Sequence, residues 1–273
     1  METISYQLLA PVTFAYLGAA VIYLCYLVMK RETLGKTATA LAWIIFLAHT
    51  VAIATRWLAS HDLGVGHAPF SDLFESLVFF GWTLTLIYLV IEWRTGMKRL
   101  GAFAMPLAFF AMLYALKLDP TIKPLLPALK SNWLIAHVIT CFLGYAAFGI
   151  SFAIAVMFFM TGQQKNPNTP KALLLDDLIH QTVVLGFIML TAGIVTGSIW
   201  ANSAWGSYWS WDPKETWSLI TWLFYAAMLH SRFMKGWQGK RLAVFSIVGF
   251  CVVLFTYFGV NLLLSGLHSY ATG

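Results

Sequence analysis

Charge is what this sequence has least of. Only 10% of its 273 residues are Asp, Glu, Lys or Arg, against roughly 25% in soluble domains. Hydrophobic residues make up 60%, and the mean hydropathy is +0.75. An ordinary water-exposed globular surface is excluded. Cysteine is scarce as well. Cys25, Cys141 and Cys251 are isolated within apolar runs and form no CXXC pair, so a dithiol redox motif is excluded. No folded basic domain stands behind the net charge of +6, which removes nucleic acid as a partner. The N-terminus has Glu2 and no basic residue before its first apolar run, which argues against a cleaved signal peptide.

What the chain has is apolar length. A helix spans a bilayer with about 20 residues. Eight runs approach that: Leu8 to Met29, Ala38 to Ala59, Asp72 to Trp93, Gly101 to Leu116, Trp133 to Thr161, His180 to Trp200, Trp217 to Met234 and Ala243 to Ser265. The fourth is the shortest and contains Pro106. The expected fold is an all-α polytopic membrane protein, one integral membrane domain over residues 1–273, with four spans in residues 1–117. Basic residues concentrate in alternate loops, at Lys30, Arg31 and Lys36, at Arg94, Lys98 and Arg99, at Lys165 and Lys171, and at Arg232, Lys235, Lys240 and Arg241. The other loops carry Arg56, Lys117, Lys123, Lys130 and Lys214. By the positive-inside rule both termini are expected outside, together with the loop before the seventh span.

That loop is the richest stretch in the chain. Trp205 to Trp217 reads WGSYWSWDPKETW, with Trp205, Trp209, Trp211 and Trp217, Tyr208, and then three charges, Asp212, Lys214 and Glu215. A flat apolar ligand fits such a shelf. Its second half also reads as a helix start, with Asp212 as N-cap, Pro213 at the first position and Glu215 three residues on.

Histidines supply the remaining chemistry. His49 lies near the middle of the second run. It is either a functional intramembrane group or a neutral imidazole bonded to a carbonyl or a neighbouring helix. His61 and His67, followed by Asp72 and Glu75, lack the tight spacing of a metal site. Ser71 or Asp72 is instead expected to cap the third helix. Ser131 or Asn132 is expected to cap the fifth, which puts His137 about two turns in, under the outer surface, with Cys141 and Gly144 on its face. His180 is expected at the inner interface. His230 follows Trp217 by thirteen residues, about 20 Å deep at ~1.5 Å per residue, on one stripe with Leu219, Leu223 and Ala226. His268 returns to the outer face.

His137 and His268 therefore lie on the side of the Trp shelf. Two imidazoles on opposite faces of a flat macrocycle, with indoles packed on it, form a haem site. A mononuclear zinc needs more ligands than this. Taken singly, each histidine reads as structural and the Trp-rich loop as an interfacial belt.

The stretch WGSYWSWDPKETWSLITW resembles the WWD signature of the haem-handling proteins of cytochrome c maturation. The words PALKSNWLIAHV, AAMLHSR, SGLHSY and FSDLFESLVFFGW are similar to its CcsA (ResC) branch, of system II, rather than to CcmC or CcmF. The likeness runs from about His67 to His268 and is most specific from Pro127 onward. The first two spans match weakly, and Asp72 and Phe74 stand where Asn and Tyr are expected.

The resemblance implies that residues 118–273, with loop 200–217, are the haem-handling core. His137 and His268 would be outer axial ligands of haem b against the shelf, and His230 the ligand of an inner site whose second ligand comes from a CcsB-type membrane partner. It implies no pairing of His49 with His230. It further implies a holocytochrome c synthase subunit in a bacterial cytoplasmic membrane, or in a thylakoid membrane if plastid. Such a subunit moves haem outward and joins its vinyl groups to the cysteines of a CXXCH motif in apocytochrome c. The apocytochrome supplies the thiolates, so no catalytic nucleophile is expected in this chain. Trp205, Trp209 and Trp211 would pack on the porphyrin, Asp212 would place the loop or a propionate partner, and Lys214 is the cation available to a propionate. A b-type electron-transfer protein is the alternative. It needs histidine pairs at two depths, and His137 with His268 supplies only the outer one. A third reading, a passive haem exporter, would bind haem and form no thioether.

Overall fold

The computed structural model describes residues 2–125 and 129–264, with side chains from residue 7 onward. It is all-helical among those residues. In chain order the helices are α1 Glu2–Met29, α2 Glu32–Asp62, α3 Leu73–Thr95, α4 Gly101–Ala115, α5 Asn132–Met160, α6 Pro170–Trp205, α7 Pro213–Lys235 and α8 Lys240–Leu263. Six of them, α1, α2, α3, α5, α6 and α8, are long and apolar enough to cross a membrane. The chain is a multi-pass membrane protein. At 15 residues α4 is about 22 Å long, short of the ~30 Å hydrocarbon core. In α7, Lys214, Glu215, Arg232 and Lys235 punctuate the ends of the apolar stretch.

Several boundaries differ from the sequence expectation. α6 has 36 residues, about 54 Å. It starts at Pro170, capped by the Thr169 hydroxyl, so His180 lies three turns inside it and not at its start. At the other end it runs past Trp200 to Trp205, closed by Gly206 at φ 78°. Apolar runs locate the middle of such a helix, whereas capping groups set its ends. Arg56 and Lys214 likewise lie within helices and are not solvated loop charges.

The chain divides into two compact units, residues 1–130 and 131–273. In the first, α3 is the buried centre. Its Glu92, 5% exposed, accepts hydrogen bonds from Tyr23 of α1, Thr39 of α2 and Tyr88 one turn back, so one carboxylate joins three helices. α4 closes on this cluster through Gly101, where an added Cβ would lie 2.5 Å from the Tyr88 hydroxyl. At the opposite end of α3, Asp72 is the N-cap, accepting from the Glu75 N–H at 2.8 Å. Glu75 pairs with buried Arg56 at 2.8 Å, and Arg56 also donates to the Pro120 carbonyl and lies over the Phe74 ring. Burial and the neighbouring Glu75 carboxylate push the Asp72 carboxyl up to about 6.

In the second unit α5 is central. It packs along α6 through glycines: a Cβ on Gly144 would come 3.1 Å from the Gly186 carbonyl oxygen, and one on Gly186 would strike the Phe148 ring at 2.5 Å. Phe148 in turn stacks face to face on Tyr225 of α7, centroids 3.5 Å apart. Asp176 of α6 accepts from Arg232 of α7 at 2.7 Å and from the Gly239 N–H that opens α8 at 2.6 Å.

Two outcomes test this arrangement, both read by thermal unfolding of the purified protein in detergent. Glu92→Leu takes the acceptor from two buried hydroxyls, those of Tyr23 and Tyr88, while half-buried Thr39 keeps its bond to the Gly35 carbonyl, and it is expected to cost about 3 kcal/mol, with Glu92→Gln milder. Asp72→Asn keeps the cap but removes a carboxylate that burial disfavours. The folded state holds the Asp72 proton more tightly than the unfolded chain, so stability falls as pH rises from about 4 to about 6. The Asn variant is therefore expected to gain about 1–2 kcal/mol at pH 7.5 and nothing at pH 4.

Candidate functional site

His137 enters the site through its helix start. Ser131 caps α5, its hydroxyl accepting from the Trp133 N–H at 3.2 Å. The imidazole faces α6, where Nδ1 lies 2.7 Å from the Gly193 carbonyl oxygen. A carbonyl only accepts, so Nδ1 donates here, and in the neutral form of the ring the lone pair is on Nε2. That tautomer is the one a histidine uses to bind a metal through Nε2, with a backbone carbonyl orienting the ring from behind. Room for the ring comes from Gly197: a Cβ there would sit 2.5 Å from Nδ1. Gly193 does the same one turn back, where a Cβ would meet the Cys141 sulfur at 2.5 Å. Cys141 lies under the imidazole, its sulfur 3.6 Å from Nδ1.

Indoles continue from there. The His137 ring is nearly parallel to Trp200, with centroids 6.3 Å apart and planes at 17°. Trp200 meets Trp205 edge-on at 4.8 Å. Residues 206–212 then link α6 to α7, and Trp209 and Trp211 form their own edge-on pair at 5.7 Å. The Trp211 backbone is held at φ 61°, a left-handed conformation that a non-glycine residue adopts at a cost in strain. Its ring is 68% exposed.

Side chains around the loop hold that backbone. Ser198 donates to the Tyr208 carbonyl at 2.9 Å, Ser207 to the Trp209 carbonyl at 2.9 Å, and Thr216 to the Trp211 carbonyl at 3.3 Å. Glu215 accepts from the Ser210 N–H at 2.8 Å and the Asp212 N–H at 3.2 Å. Asp212, buried, returns the capping box and accepts from the Lys214 N–H at 2.9 Å. The helix-start reading of this segment is thus realised in full.

The other sequence candidates fall in different places. His230 is on the exposed side of α7, two residues before the anchored Arg232, and its stripe partner Leu223 is also exposed at 52%. His268 lies outside the described residues. His49 is fully buried in the first unit, with Nδ1 3.0 Å from the Tyr16 hydroxyl. His67 is buried against two carbonyls, those of Ala68 at 2.9 Å and Lys123 at 3.2 Å, while its backbone and Ser60 bond to each other. His61 is exposed. Among the described residues no group of His, Cys, Asp and Glu is arranged to hold a metal by itself. Sequence reasoning missed Gly193, Gly197, Trp200 and Asn261 as parts of the site. The four-residue spacing of Gly193 and Gly197 was the available signal, since small residues at that interval let helices approach.

A family model for the Cytochrome C assembly protein matches residues 70–268. The protein named Cytochrome c biogenesis protein CcsA from Pyropia yezoensis is 38% identical over 95% of this chain and 96% of its own length. The protein of that name from Mesostigma viride is 41% identical over 83% and 84%, and that from Synechococcus sp. (strain CC9605) 37% identical over 88% of each. Among solved structures, the Cytochrome c Heme Lyase CcmF superposes with a TM-score of 0.71 at 20% identity, over 94% of this chain and 46% of that longer one, a likeness of fold. With the family model matched from just before α3 to the last residues of the chain, and relatives of this identity aligned over most of it, the chain belongs to the cytochrome c assembly protein family, alongside the CcsA proteins.

Proposed function

We propose that this chain is the CcsA-type subunit of a two-component cytochrome c synthase, which carries haem across the membrane and presents it at the outer face for attachment to a CXXCH apocytochrome c. A role in cytochrome c maturation accords with the family. The observation that carries the finer reading is His137, whose proton is fixed on Nδ1 by the Gly193 carbonyl, so that Nε2 is the nitrogen suited to iron. His137 and His268 are the proposed outer axial ligands. Trp205, Trp209 and Trp211 are the proposed packing surface for a non-covalently held b-type haem. Asp212 sets the junction between loop and helix.

The chain's residues bind, orient and exclude water, and the chemistry belongs to the substrates. Each haem vinyl group takes up a cysteine thiol, S–H adding across the C=C bond so that a C–S bond forms with no net oxidation. The strained, bonded loop holds the ring edge in one orientation, which is where a positioned reaction gains its rate. His230, displayed on the outside of α7, suits an inner station completed by a histidine from a CcsB-type partner.

Reduced-minus-oxidised spectra of the purified chain with its presumed partner test this. A b-type spectrum is expected, its outer component lost in His137→Ala and His268→Ala and a separate component lost in His230→Ala. A wild type without haem, or three variants unchanged, would refute the proposal. Gly197→Ala pushes a methyl group into the His137 ring, and is expected to remove most of the outer component while leaving the inner one. Gly18→Ala, which meets no atom within 4 Å, is the matched control and is expected to change neither.

A further inference from the structure

Deep in α8 the helix changes pitch. Residues Phe255–Gly259 form a π turn between α-helical segments Lys240–Leu254 and Val260–Leu263. Such a turn inserts one extra residue and rotates everything beyond it by about 100° relative to an unbroken α-helix. It is tied to α7 by three contacts. Thr256 bonds to Thr221 at 2.7 Å and to the Trp217 carbonyl at 3.4 Å, and the Phe255 ring meets Trp217 at 4.3 Å. The residue that the rotation brings round to α7 is Asn261.

Asn261 makes two bonds that fix its amide. Its Nδ2 donates to the Tyr257 carbonyl at 2.8 Å, and its Oδ1 accepts from the Lys214 ammonium at 3.0 Å. Neither partner permits the flipped amide, because a carbonyl only accepts and an ammonium only donates. Lys214 is thereby held by a neutral oxygen. Among the described residues it has no carboxylate within ion-pair distance, and the Asp212 oxygen nearest in sequence accepts from the Lys214 backbone N–H. The ammonium lies within electrostatic range of Cys141, whose sulfur is 3.6 Å from the His137 ring, and of the Asp212 carboxylate, with which it forms no direct ion pair. A half-buried cation, aimed by an amide and in no direct ion pair among the described residues, stands at the start of α7 where the Trp-rich loop ends.

We propose that Asn261 is a positioning residue. Through the π turn it aims the Lys214 ammonium at a carboxylate of the bound macrocycle, and being neutral it leaves that charge for the ligand, so that the site selects an acid-bearing porphyrin in one orientation. This deepens the haem reading and rests on it. An aspartate at 261 would fill the same space but pair with Lys214 itself, which makes the two variants separable.

The test is spectral titration of the purified full chain with two probes, iron protoporphyrin IX and its dimethyl ester, which has the same ring and no acid groups. Wild type is expected to bind the diacid about tenfold more tightly than the diester. Lys214→Gln is expected to abolish that preference. Asn261→Asp is expected to abolish it with Lys214 intact, while diester affinity and the bis-histidine spectrum persist. Asn261→Leu is expected to fall between, and the double variant Lys214→Gln with Asn261→Asp to be no worse than Lys214→Gln alone. If Asn261→Asp keeps the full preference, or if Asn261→Asp and Asn261→Leu weaken both probes equally, Asn261 is structural and the proposal is overturned. A wild type that binds both probes equally also overturns it while leaving the haem reading standing. A wild type that binds neither refutes the haem reading itself.

Discussion

The close approach of α5 and α6 is the constraint on which the second unit depends. Four glycines, Gly144, Gly186, Gly193 and Gly197, remove side-chain volume along one seam. Without that volume the backbones come near enough for a histidine on one helix to reach a carbonyl on the other. In a membrane interior no hydrophobic drive pulls helices together, so contact of this kind relies on packing and on polar bonds across the seam. The same closeness that binds the helices also orients His137, selecting which nitrogen faces outward from the seam. Stability and the orientation of the imidazole share one cause here.

The loop above it is built on the opposite principle. Its backbone includes Trp211 in a conformation that costs free energy, and it is held by serine hydroxyls, by Thr216 and by Glu215 at the start of α7. Strain of this sort persists only when the surroundings over-determine it. Glu215 closes the capping box and fixes the loop at the same time, so the choice between a helix cap and a functional carboxylate is not exclusive. The cap is what lets the indoles be displayed on a fixed frame.

The two buried clusters of the first unit do different work. Glu92 gathers hydroxyls from three helices, and Arg56 with Glu75 ties α2 to α3 and to the Pro120 segment. Both supply hydrogen bonds to polar groups that an apolar interior would otherwise penalise heavily. His49 and His67 belong to this framework. His67 is held against two carbonyls and His49 against Tyr16, whereas His230 is exposed on α7. A histidine turned inward onto protein groups and one turned outward differ in what can reach them.

The sequence by itself determined the membrane class, the approximate centre of every helix and the helix start that closes the Trp-rich stretch, because apolar runs and capping patterns are local and survive any tertiary arrangement. Capping residues were legible for the same reason: Asp72, Ser131 and Asp212 act on N–H groups two or three residues away. The ends of α6 were not, since its helix continues through polar residues at one end and Trp205 at the other that an apolar window leaves out. Nor was the tautomer of His137, which depends on a carbonyl 56 residues distant. Asn261 was invisible for a related reason: its meeting with Lys214 requires a π turn, and nothing in the periodicity of α8 announces one extra residue. Tertiary structure decided these points because each is a distance between groups that the chain's order keeps far apart.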